Sequence, residues 1–501
     1  MKKYLLIIIL ITIILFITSC SAGNIEIGDT IMAPKNESLP IYGKWVIEDY
    51  KVTVEEEEVE EIVKYYMGKD ALFHEDLVVL GDDCCKDPIF KTKNINTWDY
   101  ILYHYKTNPD FLGIEKDKIQ IISITSEDQF FYEFIKESDD KIIVNIDGVF
   151  FYLRLVSQKI SDEDVAEYFY KEKAMFKSSS LADSQIVNSS ILIGLKSLNL
   201  EDQNGNIENW NYRTILIRSY NKEIVSIYEM KDIFLPRKTG FWKVEVQREK
   251  DNDKILAYPL KKTVDGEMKK RKIVKGKEKT GENNSLKNIL YVGNDYISIE
   301  KINHLNKGER LLEFYLIDNL NEDSPVKISH IAGEAGKASL LDEGYKAILS
   351  SDSQYRYSSI DFSPNEENFG LFRRNGHWIY KGRVNFVQDG MYSYKNFNIK
   401  VVPSKEVVHY DELHIPWNAI KSKVPEAIDA FTSPAEDIII IVTRNSIMIY
   451  PIDKGDIGHT PIGKIKLKPT EKIIMDEWSI GKYPEMWEEE FIKNGGVVIE
   501  D

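Results

Sequence analysis

Lys141-Ile142-Ile143-Val144-Asn145-Ile146-Asp147-Gly148-Val149-Phe150-Phe151-Tyr152-Leu153-Arg154-Leu155 is two apolar, β-branched and aromatic runs joined by a two-residue turn. Asp-Gly accepts the positive backbone angles of a tight hairpin, and runs of this composition pack well on a pleated surface. The segment therefore reads as two adjacent antiparallel strands. Ala71 to Leu80, Ile119 to Thr125 and Phe130 to Ile135 upstream are further short strand-like stretches, and Tyr42 to Ile47 opens the series. Between them, Val54 to Tyr66 has helical spacing, with Val59, Ile62, Val63 and Tyr66 on one face. Glu55 to Glu58, Glu60 and Glu61 are read as its solvated face and acidic first turn. The spacing predicts a small antiparallel barrel or sandwich closed by one helix over 41–158.

Beyond it, Ser161-Asp162-Glu163-Asp164 predicts a capped helix to about Phe176, and the polar stretch Ser178 to Ser190 a linker, so that 159–190 is a helix and linker. From Ile191 to the end, 191–501, short strands and turns predominate, and no βαβ alternation points to a parallel dinucleotide-binding sheet. Expected strands include Tyr212 to Tyr220, Ile224 to Tyr228, Gly240 to Val246, Ile289 to Ile302, Leu311 to Ile317, Phe369 to Tyr380, Phe397 to Val402 and Asp437 to Tyr450. Phe362-Ser363-Pro364, then a strand, Arg374-Asn375-Gly376 and His377-Trp378-Ile379-Tyr380, has the cadence of Thr432-Ser433-Pro434, Ile438 to Val442, Arg444-Asn445 and Ser446 to Tyr450. That cadence resembles β-propeller blades, and the length would accommodate roughly six or seven of them. The fold class expected is mainly β: a small barrel with one helix and a larger propeller-like domain, the alternative to the latter being a multi-sheet β-sandwich. Trp417 to Lys423 and Pro425 to Phe431 are expected as helical turns, and Pro484 as the start of a helix ended by Gly495-Gly496.

Composition limits function. The 501 residues hold 65 Lys+Arg against 81 Asp+Glu, a net charge of −16. A field of that sign repels nucleic acid, so no nucleic-acid partner is expected. Three cysteines in this length exclude a disulfide scaffold. Lys261 to Lys279 is the one basic cluster and reads as a solvated loop between strands, the functional alternative being attachment to an anionic polymer or headgroup.

The N-terminus is an address. Met1-Lys2-Lys3 is basic, Tyr4 to Ile17 is an apolar run short for a membrane span, and small residues follow. Ile17-Thr18-Ser19-Cys20 resembles the lipobox of bacterial lipoproteins. The resemblance implies a signal peptide over 1–19, removed before Cys20, whose thiol carries a diacylglycerol and whose amine can be acylated. Residues 20–40 are then a lipid-anchored tether. Two acyl chains hold firmly where one is marginal, at ~0.8 kcal/mol per buried methylene. Without Lys2 and Lys3 the balance is 63 against 81, or −18, which keeps the body off anionic headgroups. Gly43-Lys44-Trp45 near a first strand resembles the opening of lipocalin-type barrels. With Gly68-Lys69, Leu112-Gly113-Ile114, Asp147 to Phe151 and segments around Trp242, Gly293 and Trp478, it is similar to uncharacterised Gram-positive lipoproteins. The resemblance implies an extracytoplasmic location on the cell membrane and no known activity.

No His-Glu-x-x-His, Walker loop, Gly-x-Ser-x-Gly elbow or Cys-x-x-Cys is present. His409-Tyr410-Asp411-Glu412-Leu413-His414 has poor ligand spacing on either a strand or a helix and reads as a polar turn. No residue is assigned as catalytic, cofactor-binding or metal-ligating, and no cofactor is expected. Cys84 and Cys85, adjacent in a loop-like stretch, could close a vicinal disulfide outside the cytoplasm; the alternatives are inert thiols or redox chemistry, the last opposed by Asp82, Asp83 and Asp87. The 28 Tyr, 21 Phe and 8 Trp mostly serve strand-rich cores, with some available for glycan stacking or protein contacts. The function expected is a membrane-anchored binding or interaction module of the cell envelope, whose partner is a protein or a cell-wall glycan. The alternatives are an envelope-polymer hydrolase using a carboxylate pair and a lipocalin-like carrier of an apolar ligand.

Overall fold

The computed structural model describes residues 39–53, 57–126, 129–146, 148–161, 164–165, 187–199, 209–249, 252–260, 285–303, 309–320, 324–349, 364–388, 391–453 and 455–499. The expected signal peptide and lipobox with Cys20, most of the expected tether, most of the helix expected to run to about Phe176 and the Lys261 to Lys279 cluster lie outside them. The fold is mainly β, and every strand pair among the described residues is antiparallel. Residues 40–501 make one compact unit.

The first part is a nine-stranded sheet built from β1 (Gly43–Val52), β2 (Asp70–Phe73), β3 (Leu77–Leu80), β4 (Asp83–Lys86), β5 (Ile89–Asn96), β6 (Lys118–Ser126), β7 (Gln129–Lys136), β8 (Lys141–Ile146) and β9 (Val149–Ser157), in the order β4-β3-β2-β1-β9-β8-β7-β6-β5. The β8–β9 hairpin pairs Ile146 with Val149, and Gly148 takes φ +82°. α1 (Glu57–Tyr66) follows β1, α2 (Thr97–Tyr105) and the single turn α3 (Pro109–Leu112) follow β5. In register, Trp45, Phe73, Phe134, Val144 and Phe151 share one face. Three strands separate β2 from β7, which in a flat sheet would hold them about 19 Å apart. The rings of Phe73 and Phe134 nevertheless lie 5.1 Å apart, edge to face. The sheet is therefore curled into a half-barrel with this aromatic face inside, and the Ser126 hydroxyl on β6 donates to the Lys86 carbonyl on β4 at 2.6 Å. The other face, carrying Ile119, Ile121, Ile135, Ile143, Phe150 and Tyr152, packs on Ile101 of α2 and Leu112.

The second part holds five sheets among the described residues. β10 (Asn188–Leu198), β11 (Trp210–Tyr220) and β12 (Glu223–Lys231) join β27 (Lys472–Ile480) and β28 (Val497–Val498). β13 (Ile233–Arg237), β14 (Gly240–Glu249) and β15 (Asn252–Pro259) form the next, then β16 (Ser285–Val292), β17 (Tyr296–Asn303) and β18 (Glu309–Leu316), then β19 (Phe369–Arg374), β20 (His377–Gln388) and β21 (Met391–Asn398). The last contains β22 (Asp429–Thr432), β23 (Ile438–Val442), β24 (Ser446–Asp453), β25 (Asp456–Ile457) and β26 (Gly463–Lys466). One core joins the first three sheets, another the third and fourth, and a third core returns from the last sheet to the first through Ile191, Ile215, Ile438 and Ile447. The late strand β27 pairs with β10, so both ends of this part meet in one sheet. Asp437, behind Ser433-Pro434, strengthens that junction by accepting from the Ser189 hydroxyl at 2.8 and 2.9 Å.

Helices α4 (Ile328–Leu349), α5 (Trp417–Lys423) and α6 (Tyr483–Lys493) lie against the sheets. α6 buries Phe491 beside Phe234 and ends at Gly495, as its sequence predicts. Pro425 to Phe431 departs from expectation: its second half is β22. Pairing Ala430 and Phe431 with Ile441 and Ile440 buries both side chains, a gain that a lone helical turn cannot match.

Candidate functional site

β5 and α2 on one side, and the β19–β20 hairpin and α5 on the other, enclose a cavity of about 340 Å³. Four local devices place its walls. Asn96 ends β5 and caps α2, its side chain accepting from the Asp99 amide at 3.0 Å. The cap turns Asp99, Tyr100, Tyr103 and His104 of α2 toward the cavity. Asn375-Gly376 takes φ +50° and +89°, the geometry of a tight hairpin, and presents Arg374 and Asn375. α5 begins with Trp417 and Asn418, and Asn418 accepts from the Lys93 ammonium at 2.9 Å across 325 residues of sequence. Leu102 and Tyr103 pack on Ile379, so the two sides form one core beside the cavity.

The polar wall is incompletely satisfied. His104 stacks on Tyr100 with ring centroids 4.7 Å apart, and burial, with His377 and Lys93 nearby, pushes the imidazole down to about 3. It is neutral at physiological pH. Its Nε2 and the Tyr100 hydroxyl are buried and have no hydrogen-bond partner in the protein. Such atoms are costly to leave unpaired, which suits a site whose ligand supplies the partners. Arg374 reaches Asp99 at 3.8 Å and lies 5.2 Å from the Tyr103 ring. Asp99 is the one carboxylate lining the cavity among the described residues.

Directly behind Arg374 lies a buried charge cluster. Successive strand residues point oppositely, and Arg373 enters the space between sheets while Arg374 faces the cavity. Arg373 donates to Asp429 through Nε at 2.8 Å and Nη2 at 3.0 Å, to Asp411 at 3.2 Å and to the Ala430 carbonyl at 3.1 Å; Asp476 is 3.8 Å away. The Trp378 indole donates to Asp476 at 2.6 Å, and the Gly376 amide to Asp429 at 2.8 Å. Burial pushes Asp476 up to about 7 against the pull of Arg373, and burial next to Asp476 drives Glu477 well above the usual carboxylate range. Burial also opposes ionisation of Asp411, but His377, Lys106 and Arg373 outweigh it and hold that carboxyl low.

The residues singled out from sequence fall elsewhere. Cys20 lies outside the described residues. Cys84 and Cys85 are successive residues of β4. In extended backbone their side chains leave on opposite faces, and burial, then Cys84 and Asp87, push the Cys85 thiol up to about 11. The His409 to His414 stretch is a turn in which the Tyr410 hydroxyl meets His414 Nε2 at 3.0 Å, while Asp411 belongs to the charge cluster. His74, Glu75 and Asp76 bring three ligand-type atoms together in an exposed turn. The cavity is not foreseen from sequence, although the Asn96 cap and the Trp-x-Tyr-x-x-Tyr-His run of α2 carry a usable signal. No described helix is long and apolar enough to cross a membrane. No family model, curated protein or solved structure matches the chain.

Proposed function

We propose that the chain is a membrane-anchored extracytoplasmic lipoprotein, attached through Cys20, whose body is a binding module of the cell envelope and whose cavity takes a saccharide of the wall. One observation carries the ligand site: a cavity with Trp417, Tyr100 and Tyr103 in its walls also holds two buried polar atoms awaiting partners. Sugar rings offer an apolar face for aromatic stacking and hydroxyls for atoms of this kind. The amides Asn96, Asn375 and Asn418 add donors and acceptors around the same space. The basic, apolar and small-residue N-terminus ending in Ile17-Thr18-Ser19-Cys20 supports the anchor.

The architecture proposed is a small antiparallel barrel and a larger propeller-like domain. The cores that join the first four sheets in turn and the last sheet to the first, with the β27–β10 pairing, support the propeller. The barrel interior is filled by Trp45, Phe73, Phe134 and Phe151, which weighs against an apolar carrier. The hydrolase alternative wants two carboxylates facing one space, and the cavity presents Asp99 alone among the described residues.

Two measurements test the reading. Cys20→Ala should abolish incorporation of a labelled fatty acid and release the protein from the membrane fraction; retention with unchanged processing refutes the anchor. Full-length protein in detergent should bind soluble wall-glycan fragments, and Trp417→Ala should lose that binding at a temperature where the variant remains folded. Absence of binding in the unaltered protein refutes the saccharide site.

A further inference from the structure

The charge of the cavity narrows its ligand. Two cationic side chains line it, Lys93 from β5 and Arg374 from β19, against the single carboxylate Asp99, which sits nearer Arg374. The Lys93 ammonium donates to the Asn418 amide oxygen, a neutral partner, and among the described residues no carboxylate lies within ion-pair distance of it. His104, deeper in the wall, adds no negative charge. The cavity lining thus holds two cations against one carboxylate, in a chain whose net charge is −16; a further carboxylate that acts on Lys93 is buried Glu133, which burial holds up to about 8.

Resting on the saccharide reading, we infer that the ligand bears one anionic group, a carboxylate or a phosphate, held between Lys93 and Arg374 while its ring lies among Tyr100, Tyr103 and Trp417. Arg374 can offer two parallel N–H bonds to either group once drawn from Asp99, and Lys93 contributes a point charge.

Glucose, glucuronate and glucose 6-phosphate serve as probes, titrated into the full-length protein in detergent at low salt and followed by tryptophan fluorescence. At least one anionic sugar should bind tenfold or more tightly than glucose, with the advantage shrinking as salt is raised. Whichever of the two prevails tells carboxylate from phosphate. Lys93→Met should reduce the anionic sugar's affinity at least tenfold more than that of glucose; Arg374→Gln should act in the same direction. Equal binding of charged and neutral sugars, or an unchanged preference in both variants, overturns the inference while the saccharide site stands. Binding of none of the three overturns both.

Discussion

Asp476→Asn tests the electrostatic account of the buried cluster. Asp476 is 3% exposed at its side chain, accepts from the Trp378 indole and sits 3.8 Å from Arg373, whose guanidinium is already committed to Asp429 and Asp411. Burial therefore wins, and the carboxyl titrates near 7, above its value of about 4 in an unfolded chain. Between pH 4 and 7 the folded protein keeps a proton that the unfolded chain has released. The associated stability is complete below about pH 4 and is lost as pH rises through 7. A rise from about 4 to about 7 corresponds to about 4 kcal/mol. An asparagine keeps the carbonyl oxygen for Trp378 and never ionises. The variant should match the parent near pH 4 and exceed it by up to that amount at pH 8. With an unfolding entropy of about 2 cal/mol/K per residue, a body of this size gains about 4 °C in Tm. Thermal unfolding of both proteins at pH 4.5, 6 and 8 measures the difference. A difference in Tm that does not change with pH, or a variant less stable than the parent at pH 8, refutes the reasoning.

Three further outcomes follow from particular contacts. His104→Phe preserves the stack on Tyr100 and removes an unpartnered buried nitrogen; thermal stability should hold or rise while glycan affinity falls at least tenfold, because the ligand loses a hydrogen-bonding site. Gly376→Ala places a Cβ 2.7 Å from the Leu413 side chain at φ +89°; unfolding should show a loss of about 1–3 kcal/mol, with weakened ligand binding as the hairpin holding Arg374 and Asn375 shifts. Phe134→Ala opens a void where Phe73 packs inside the curled sheet; about 3–5 kcal/mol should be lost, read as a lower Tm.

Strands that bury one face and meet their neighbour through a short turn are legible locally. Ile142 to Tyr152 and Ile438 to Tyr450 carry both signals, and their hairpins form where expected. β5 escapes such a reading because its composition says little: Lys91, Thr92, Lys93 and Asn94 are exposed, and the strand exists because β6 pairs along its length. α2 escapes it for a different reason. Tyr100, Tyr103 and Tyr105 make a weak isolated helix, and the segment is helical because Asn96 caps it and Ile101 enters the core of the neighbouring sheet. The tertiary partner supplies what the local preference lacks. β22 repeats the lesson in the opposite direction, since a helix-compatible start after Pro425 yields to the pairing offered by Ile439 to Val442.

The cavity is harder to foresee than any single element because four separated segments contribute to it, and their meeting depends on a charge cluster that sequence order also conceals. Arg373-Arg374 reads as a plain dibasic pair. Strand geometry divides it: one arginine holds Asp411 and Asp429 between sheets, and the other is left at the cavity wall. The cluster also fixes the hairpin, since Asp429 accepts both from Arg373 and from the Gly376 amide. Asp429 thus acts at a distance on Arg374 without touching the cavity. Asp429→Asn would leave the Arg373 guanidinium short of a charge partner in a buried setting, at a cost of about 3–5 kcal/mol. It would also loosen the turn that aims Arg374. If the cavity is a site for an anionic saccharide, that variant should lower affinity for the charged sugar more than for glucose, because the displaced group is the cationic one. A variant that unfolds at lower temperature yet binds both sugars as the parent does would show that the cluster supports the sheets alone and leaves the orientation of Arg374 to Asp99 and the ring of Tyr103.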